Sequence, residues 1–352
     1  MEDAEIQSSL RAGLSLLKRH QGAAGVMPNN VDSATLRPNF RAYADGGLWW
    51  IIGSTLLAPD PAAARAVLRW YECQDVDQSG LLSMQEGSDW QDLFCTRGKG
   101  LYLNCLYVLA LRAAAKLFES SDPEEGRRCL LRAKTTADAV NTWFWYTGDG
   151  NLLRHVSHTF STENQGTEDS LGRRRFLPEK RYLRDESYYL PYLGFRAAGE
   201  WFDTLASLLA IIAGVADRSR ALAILDFISR HALGLWPMRS LTPIVQPGDP
   251  DWRDYYGPLN SPHCYHNGGV WPFIGGFYVA ALIATGRPGE ASAALHRLAR
   301  LNQQGEFNEW HHGESGEPMG VKDQAWSAGM YVFAYECVRR RRVEFDDFAA
   351  LR

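Results

Sequence analysis

Apolar residues recur at helical spacing along most of the chain, and the segments that carry them alternate in kind. Residues 6–19 place apolar side chains at 6, 10, 14, 16 and 17, one face of a helix. Residues 46–57 are apolar nearly all round. Residues 61–70 are amphipathic again, with Asp60 as N-cap and Pro61 at the first helical position. Segment 100–117 is long and mostly apolar, and 122–145 is a second long helix opened by Pro123 and two acids. Segments 200–215, 268–285 and 324–338 are apolar; 221–231 and 288–301 are amphipathic.

The pattern predicts about ten helices in two layers. An amphipathic helix suits an outer layer with one side in water. A helix apolar on most faces suits an inner layer touched on all sides. The expected fold is therefore all-α: an α/α toroid forming one domain over residues 1–352. A ring of six pairs needs twelve helices, and the count here begins with an outer one. The expectation is an (α/α)6 toroid lacking its first inner helix, with an open ring or uncounted helices as alternatives. Long loops fall at 74–97, 147–198, 233–266 and 304–322, and loops of that length inside a compact domain are usually functional. The polar stretch 147–184 reads as a lid or short hairpin.

Composition narrows the class. The 352 residues exceed the ~250–300 at which single cores usually split, but a helical toroid reaches that length as one domain. A net charge of −4 leaves no electrostatic footprint for nucleic acid. The basic run from Arg339 to Arg342 reads as a solvated helix end facing its own dipole. Cys73, Cys95, Cys105, Cys129, Cys264 and Cys337 show no CxxC spacing and read as reduced thiols. The first residues, MEDAEIQSS, are acidic and polar, unlike a signal peptide. The longest apolar run, 205–216, has about 12 residues against the ~20 needed to span a bilayer. These features predict a cytoplasmic protein without membrane contact.

Twelve tryptophans and fifteen tyrosines change the picture further. Each tryptophan taken alone suits a core, but several stand beside Asp, Glu, Asn and Gly. That setting suits a lined cavity, where indole faces stack on sugar C–H faces and polar neighbours hold hydroxyls. Segments 44–50, 87–92, 265–272, 307–310 and 323–327 all open apolar helices. If those helices start at one rim, the segments converge. Two separated carboxylates in such a cavity suit glycoside hydrolysis: one protonates the leaving oxygen while the other activates water. The stretch EFNEWHHGESGE, 306–317, concentrates four carboxylates and two histidines. Neither His311, His312 and Glu314 nor His263 and His266 has the spacing of a zinc site, so no metal and no cofactor is expected.

In these segments the chain resembles the (α/α)6-barrel glycoside hydrolases, specifically alkaline/neutral invertases and bacterial amylo-α-1,6-glucosidase-like (glycogen-debranching) proteins. Asp45-Gly46-Gly47-Leu48-Trp49-Trp50 matches the invertase D-x-G-L-W-W, and Trp90-Gln91-Asp92 matches an acid segment. Tyr265-His266-Asn267-Gly268-Gly269-Val270-Trp271-Pro272 matches Y-H-N-G-x-x-W-P. Glu309 with Gly313, and Gln324-Ala325-Trp326-Ser327, match two later motifs. Trp201-Phe202-Asp203, followed by Ser207-Leu208-Leu209-Ala210-Ile211, resembles a debranching-type pattern. The matches come in order over about residues 26–338.

The resemblance implies Asp92 as general acid and Glu309 as general base, with inversion at the anomeric carbon. It also implies that the long N-terminal portion of the invertases, with the first inner helix, is missing here. Asp89 competes with Asp92, because Glu86-x-x-Asp89 resembles the acid segment of processing α-glucosidases. Where the invertases follow their acid with Arg-Arg-Met, this chain has Leu93-Phe94-Cys95, with Arg97 or Lys99 as a candidate replacement charge. Expected to touch substrate are Asp45, Trp49, Trp50, Asp89, Trp90, Asp203, His266, Asn267, Trp271, Trp310, Gln324 and Trp326. The expected activity is inverting hydrolysis of an α-glucosidic oligosaccharide or a sucrose-like disaccharide. The alternatives are a sugar epimerase or isomerase on the same toroid, or a truncated, non-catalytic sugar-binding protein. The expected partner is the oligosaccharide substrate, with no nucleic acid and no membrane; a homo-oligomer stays open.

Overall fold

The computed structural model describes residues 3–40, 44–157, 179–194, 197–232 and 239–345. The helices are α1 (Ala4–Arg19), α2 (Gly46–Leu57), α3 (Pro61–Glu72), α4 (Leu101–Phe118), α5 (Pro123–Trp143) and a short α6 (Leu153–Ser157). They continue with α7 (Thr204–Ile212), α8 (Arg218–Phe227), α9 (Pro272–Ala284), α10 (Pro288–Gly305) and α11 (Ala325–Arg340). The ten longer helices follow the ten predicted from periodicity. The lid or hairpin expected at 147–184 falls largely outside the described residues.

The outer helices α1, α3, α5 and α8 each open on an aspartate cap. The carboxylates of Asp60, Asp122 and Asp217 accept the amide hydrogens of Ala63, Glu125 and Arg220, closing α3, α5 and α8. Proline holds the first turn of α3, α5 and α10, where its missing N–H is not needed.

The inner helices α2, α4, α7, α9 and α11 pack in a row, each on the next, and the outer helices back them. Every residue of α7, and every residue of α4 except Lys116, is buried. Each fully buried leucine contributes about 1.5–3 kcal/mol relative to exposure. The ends of the row, α2 and α11, share no packing of comparable extent. The described residues thus form the predicted toroid with five inner helices and a seam between α11 and α2. α4 is long and apolar enough to cross a membrane by length and composition, contrary to the reading of 205–216 as the longest apolar run, yet it is enclosed by its neighbours.

Five small antiparallel sheets among the described residues tie the loops at the helix entrances. Lys99–Gly100 pairs with Tyr192–Gly194 ahead of α4, Phe202–Asp203 with Leu241–Thr242 ahead of α7, and Trp310–His311 with Pro318–Met319 ahead of α11. The cysteines are free thiols, as expected.

Candidate active site

The N-terminal ends of the inner helices meet around a cavity of about 590 Å³. Its walls include Asp45, Trp49, Asp89, Trp90, Asp92, Trp271, Glu309 and Trp326 from the sequence-predicted set. That volume falls in the usual range for small-ligand sites, roughly 300–1,000 Å³.

The acid segment is a tight turn held by its own side chains. Asp89 Oδ1 accepts from Gln91 N–H (2.8 Å), and Thr96 donates to Gln91 Oε1 (3.0 Å). Asp92 is left partly exposed towards the cavity, its side chain 26% accessible. Behind it lies His266, fully buried, with Nε2 3.2 Å from Asp92 Oδ1. The imidazole is stacked parallel to Trp271 at 5.3 Å and meets the edge of Trp90. Burial pushes its pKa down against the pull of Asp92, so the ring is neutral near pH 7. Nδ1 has no partner among the described residues. An unpaired lone pair costs less than an unpaired N–H, so the proton belongs on Nε2, donated to Asp92.

Three further carboxylates crowd this side. Asp45 makes no helix-cap bond; Tyr102 donates to its Oδ2 (2.9 Å), and Trp49 Nε1–H donates to the same tyrosine oxygen (2.9 Å). Burial raises the pKa of Asp45, with Asp92 adding to the effect. Asp89 is raised well above the usual carboxylate range, first by burial and then by the charges of Asp203, Asp45 and Asp92. Burial pushes Asp203 up to about 7. These groups hold protons where ordinary carboxylates do not.

Glu309 lines the same cavity, one residue before the strand Trp310–His311 of the hairpin ahead of α11. Its backbone N–H donates to Val321 O (2.8 Å), and Val321 N–H donates to its Oε2 (3.3 Å). Tyr265 hydroxyl lies 3.5 Å from Oε1. Gly320 has φ 69°, and a Cβ there would stand 2.5 Å from Glu309 Oε2. A side chain at 320 would displace the carboxylate, so only glycine fits. Gly313 is also required: its Cβ would lie 2.0 Å from the carbonyl oxygen of Gly268. Tyr265 bridges the two halves, with its ring 4.2 Å from that of His266 and its hydroxyl near Glu309.

Other residues expected to touch substrate stand away from the cavity wall. Trp50 is 3% exposed and donates its indole N–H to Leu14 O, between α2 and α1. Asp203 caps α7 through Ala206 N–H and is buried. Asn267 spends its amide on the backbone of Val245 and Asn260. Trp310 is buried against the edge of Tyr265. Gln324 heads α11 without a side-chain cap bond. His266 acts on Asp92 from behind. Neither candidate replacement charge reaches the cavity: Arg97 pairs with Glu86 and Asp251, and Lys99 with Asp77. Lining residues absent from the sequence-predicted set include Asn29, Tyr102, Tyr265, Phe273, Phe277 and Met330. Tyr265 stands in the YHNG motif and was legible there; Tyr102 lies in an apolar helix that marks no face.

The family model for alkaline and neutral invertase matches residues 41–340. Cytosolic invertase 1 of Oryza sativa subsp. japonica is 26% identical over 361 residues, covering 90% of this chain and 60% of its own length. Probable alkaline/neutral invertase D of Arabidopsis thaliana is 28% identical over 329 residues, covering 83% of this chain and 59% of its own length. The chain thus spans about 60% of the length of these curated relatives. Among solved structures, the GH63 mannosylglycerate hydrolase from Thermus thermophilus in complex with glucose superposes with a TM-score of 0.63. It is 13% identical, and the match covers 94% of this chain and 89% of that one. A bacterial glucoamylase complexed with acarbose gives 0.61 at 14% identity, over 97% of this chain and 47% of that one. At that identity the structural likeness speaks for the toroid fold alone.

Proposed function

Because the chain belongs to the alkaline and neutral invertase family, we propose that it is an inverting glycoside hydrolase acting on a sucrose-like disaccharide or a short α-glucosidic oligosaccharide. One observation carries the reading: Asp92 and Glu309, from segments more than two hundred residues apart, open into one aromatic-walled cavity. Asp92 is the general acid. With His266 N–H on its Oδ1, the proton sits on Oδ2 and passes to the leaving oxygen. Glu309 is the general base, drawing a proton from the water that attacks the anomeric carbon from the opposite face. Asp45, held by Tyr102, accepts from a sugar hydroxyl, and Trp49, Trp90, Trp271 and Trp326 offer faces for the ring. The substrate is met in the cytoplasm, a reading supported by similarity to a protein named a cytosolic invertase.

An epimerase of the same architecture needs histidines flanking the sugar, and no histidine among the described residues lines the cavity. The deciding measurement is a hydrolysis panel of sucrose, maltose, isomaltose, trehalose, maltodextrin and glucosylglycerate, with the released anomer followed by NMR. One clear substrate releasing the inverted anomer is expected. Silence across the panel from folded protein favours a sugar-binding role.

A further inference from the structure

Residues 75–86 read Asp-Val-Asp-Gln-Ser-Gly-Leu-Leu-Ser-Met-Gln-Glu. Counted from Asp75, oxygen-bearing side chains fall at positions 1, 3, 5 and 9, glycine at 6, and glutamate at 12. A backbone carbonyl at 7 completes the ligand spacing of a twelve-residue calcium-binding loop. The backbone agrees with the spacing. Gly80, at position 6, turns with φ 82°, and its N–H donates to Asp75 Oδ2 (3.0 Å).

The middle of the loop is filled by a side chain from elsewhere. Lys99 Nζ lies 2.8 Å from Asp77 Oδ1, 3.0 Å from Ser79 Oγ, 3.4 Å from Leu81 O and 3.5 Å from Ser83 Oγ. These are positions 3, 5, 7 and 9 of the ligand pattern. An ammonium has three N–H donors, and four oxygens converge on it, one more than it needs. Lys99 is 4% exposed. Asp75, its side chain 10% exposed, gives Oδ2 to Gly80 and Arg132, while its Oδ1 is buried with no hydrogen-bond partner. Glu86, at position 12, is turned away to Arg97, Arg253 and Tyr255.

We propose that the 75–86 loop is a calcium-type oxygen site whose resident cation is the Lys99 ammonium, which holds the approach to Asp89 and Asp92 without a metal. Lys99 is also paired through its backbone to Leu193, so one residue ties the loop to the entrance of α4. Removing the ammonium leaves a cage of hard oxygens for a divalent cation. Calcium fits better than magnesium, because the oxygens stand at uneven distances of 2.8–3.5 Å from the ammonium and calcium accepts a larger, more flexible shell. With two loop carboxylates and Glu86 diverted, the affinity falls at the weak end for such loops, with Kd about 10⁻⁴–10⁻³ M.

The test is thermal unfolding of the full chain with and without about 10 mM calcium chloride, with sodium chloride of equal ionic strength as control. It reads stability alone, so it is independent of whether the enzyme reading stands. Wild type is expected to be indifferent to calcium and to a chelator. Lys99→Met is expected to lose about 4 °C or more and to regain about 2–4 °C with calcium, less with magnesium. A variant blind to calcium overturns the proposal, and so does a wild type that gains as much as the variant. If Lys99→Met does not fold in plain buffer, folding on addition of calcium supports the proposal and failure in both buffers overturns it. Asp77→Asn, which keeps the shape and removes the charge under the ammonium, is expected to lower Tm by about 1–3 °C. An unchanged Tm there overturns the role of Lys99 as the bound cation.

Discussion

The middle of the helix row and its free end wall the same cavity in different ways. In the middle, α4 and α7 are enclosed, and beside them stand the raised carboxylates Asp45, Asp89 and Asp203. At the free end only Ser327, Ala334 and Cys337 of α11 are buried, and Trp326, Val332 and Tyr335 are exposed. Across the seam from α11, Ile6 and Leu10 of α1 and Leu56 of α2 are also exposed. All these helices have apolar faces; they differ in what lies against them. The difference separates two jobs. The closed wall withholds solvent, which raises the pKa of its carboxylates, while the open wall carries Glu309 beside the exposed Trp326.

The sharpest challenge to that division is to remove one carboxylate from each wall. Glu309→Gln and Asp92→Asn are each expected to lower kcat by at least about 10³-fold, with Tm nearly unchanged, because neither carboxylate is a core packing group. Full activity in either variant, measured on the substrate found in the panel, would break the pairing of the two walls.

The closed wall also predicts a pH dependence with a definite sign. Asp203 titrates near 7 when folded and near 3.8 when unfolded. Below about pH 4 both states hold the proton. Between about 4 and 7 only the folded state keeps it, so stability falls as pH rises through that window and levels off above it. The shift corresponds to about 4 kcal/mol at most. Asparagine can still cap α7, so Asp203→Asn is expected to flatten the fall in denaturant-measured stability between pH 5 and 8. Asp45 and Asp89 act in the same direction and leave a residual slope. An unaltered profile would mean that the closed wall does not keep Asp203 protonated.

Packing gives a third contrast. Leu209→Ala in α7, at 0% exposure, is expected to cost about 2–5 kcal/mol of unfolding free energy. Val332→Ala in α11, at 40% exposure, is expected to cost about 0.5 kcal/mol or less. A core-sized loss at Val332 would show that the seam is covered in solution, and the comparison would fail there.

Periodicity made the helix row legible, and segment 46–57 was bounded as it folds. The boundary errors have local causes. α7 starts at Thr204 rather than 200 because Phe202 and Asp203 are extended against Leu241 and Thr242. α9 starts at Pro272 rather than 268 because Gly268 is left-handed and Val270 exchanges backbone hydrogen bonds with His311. Two-residue strands have no period to read, and their partners lie far along the chain. The motifs brought Asp92, Glu309 and the cavity tryptophans together, but they did not separate the wall from the layer behind it. His266, Asn267 and Trp310 lie in that second layer because the segments carrying them turn sharply, with positive φ at Tyr265, Gly268 and Phe307.

Trp50 and Trp326 test that layer distinction with the smallest effects. Both lie near the start of an apolar inner helix, and both were expected to meet sugar. A helix turns by about 100° per residue, so of neighbours Trp49 and Trp50 one faces the cavity and the other the outer layer. A helix apolar all round gives no sign of which. Trp50, with its N–H on Leu14 O, belongs to the contact between α2 and α1. Trp50→Phe is expected to cost about 1–2 kcal/mol of stability and leave KM unchanged. Trp326 is 47% exposed at the cavity mouth, and Trp326→Ala is expected to raise KM about 10-fold with Tm held. If Trp50 instead governed KM, α2 would present its other face to the substrate, and the assignment of Trp49, Tyr102 and Asp45 to the cavity would fall with it.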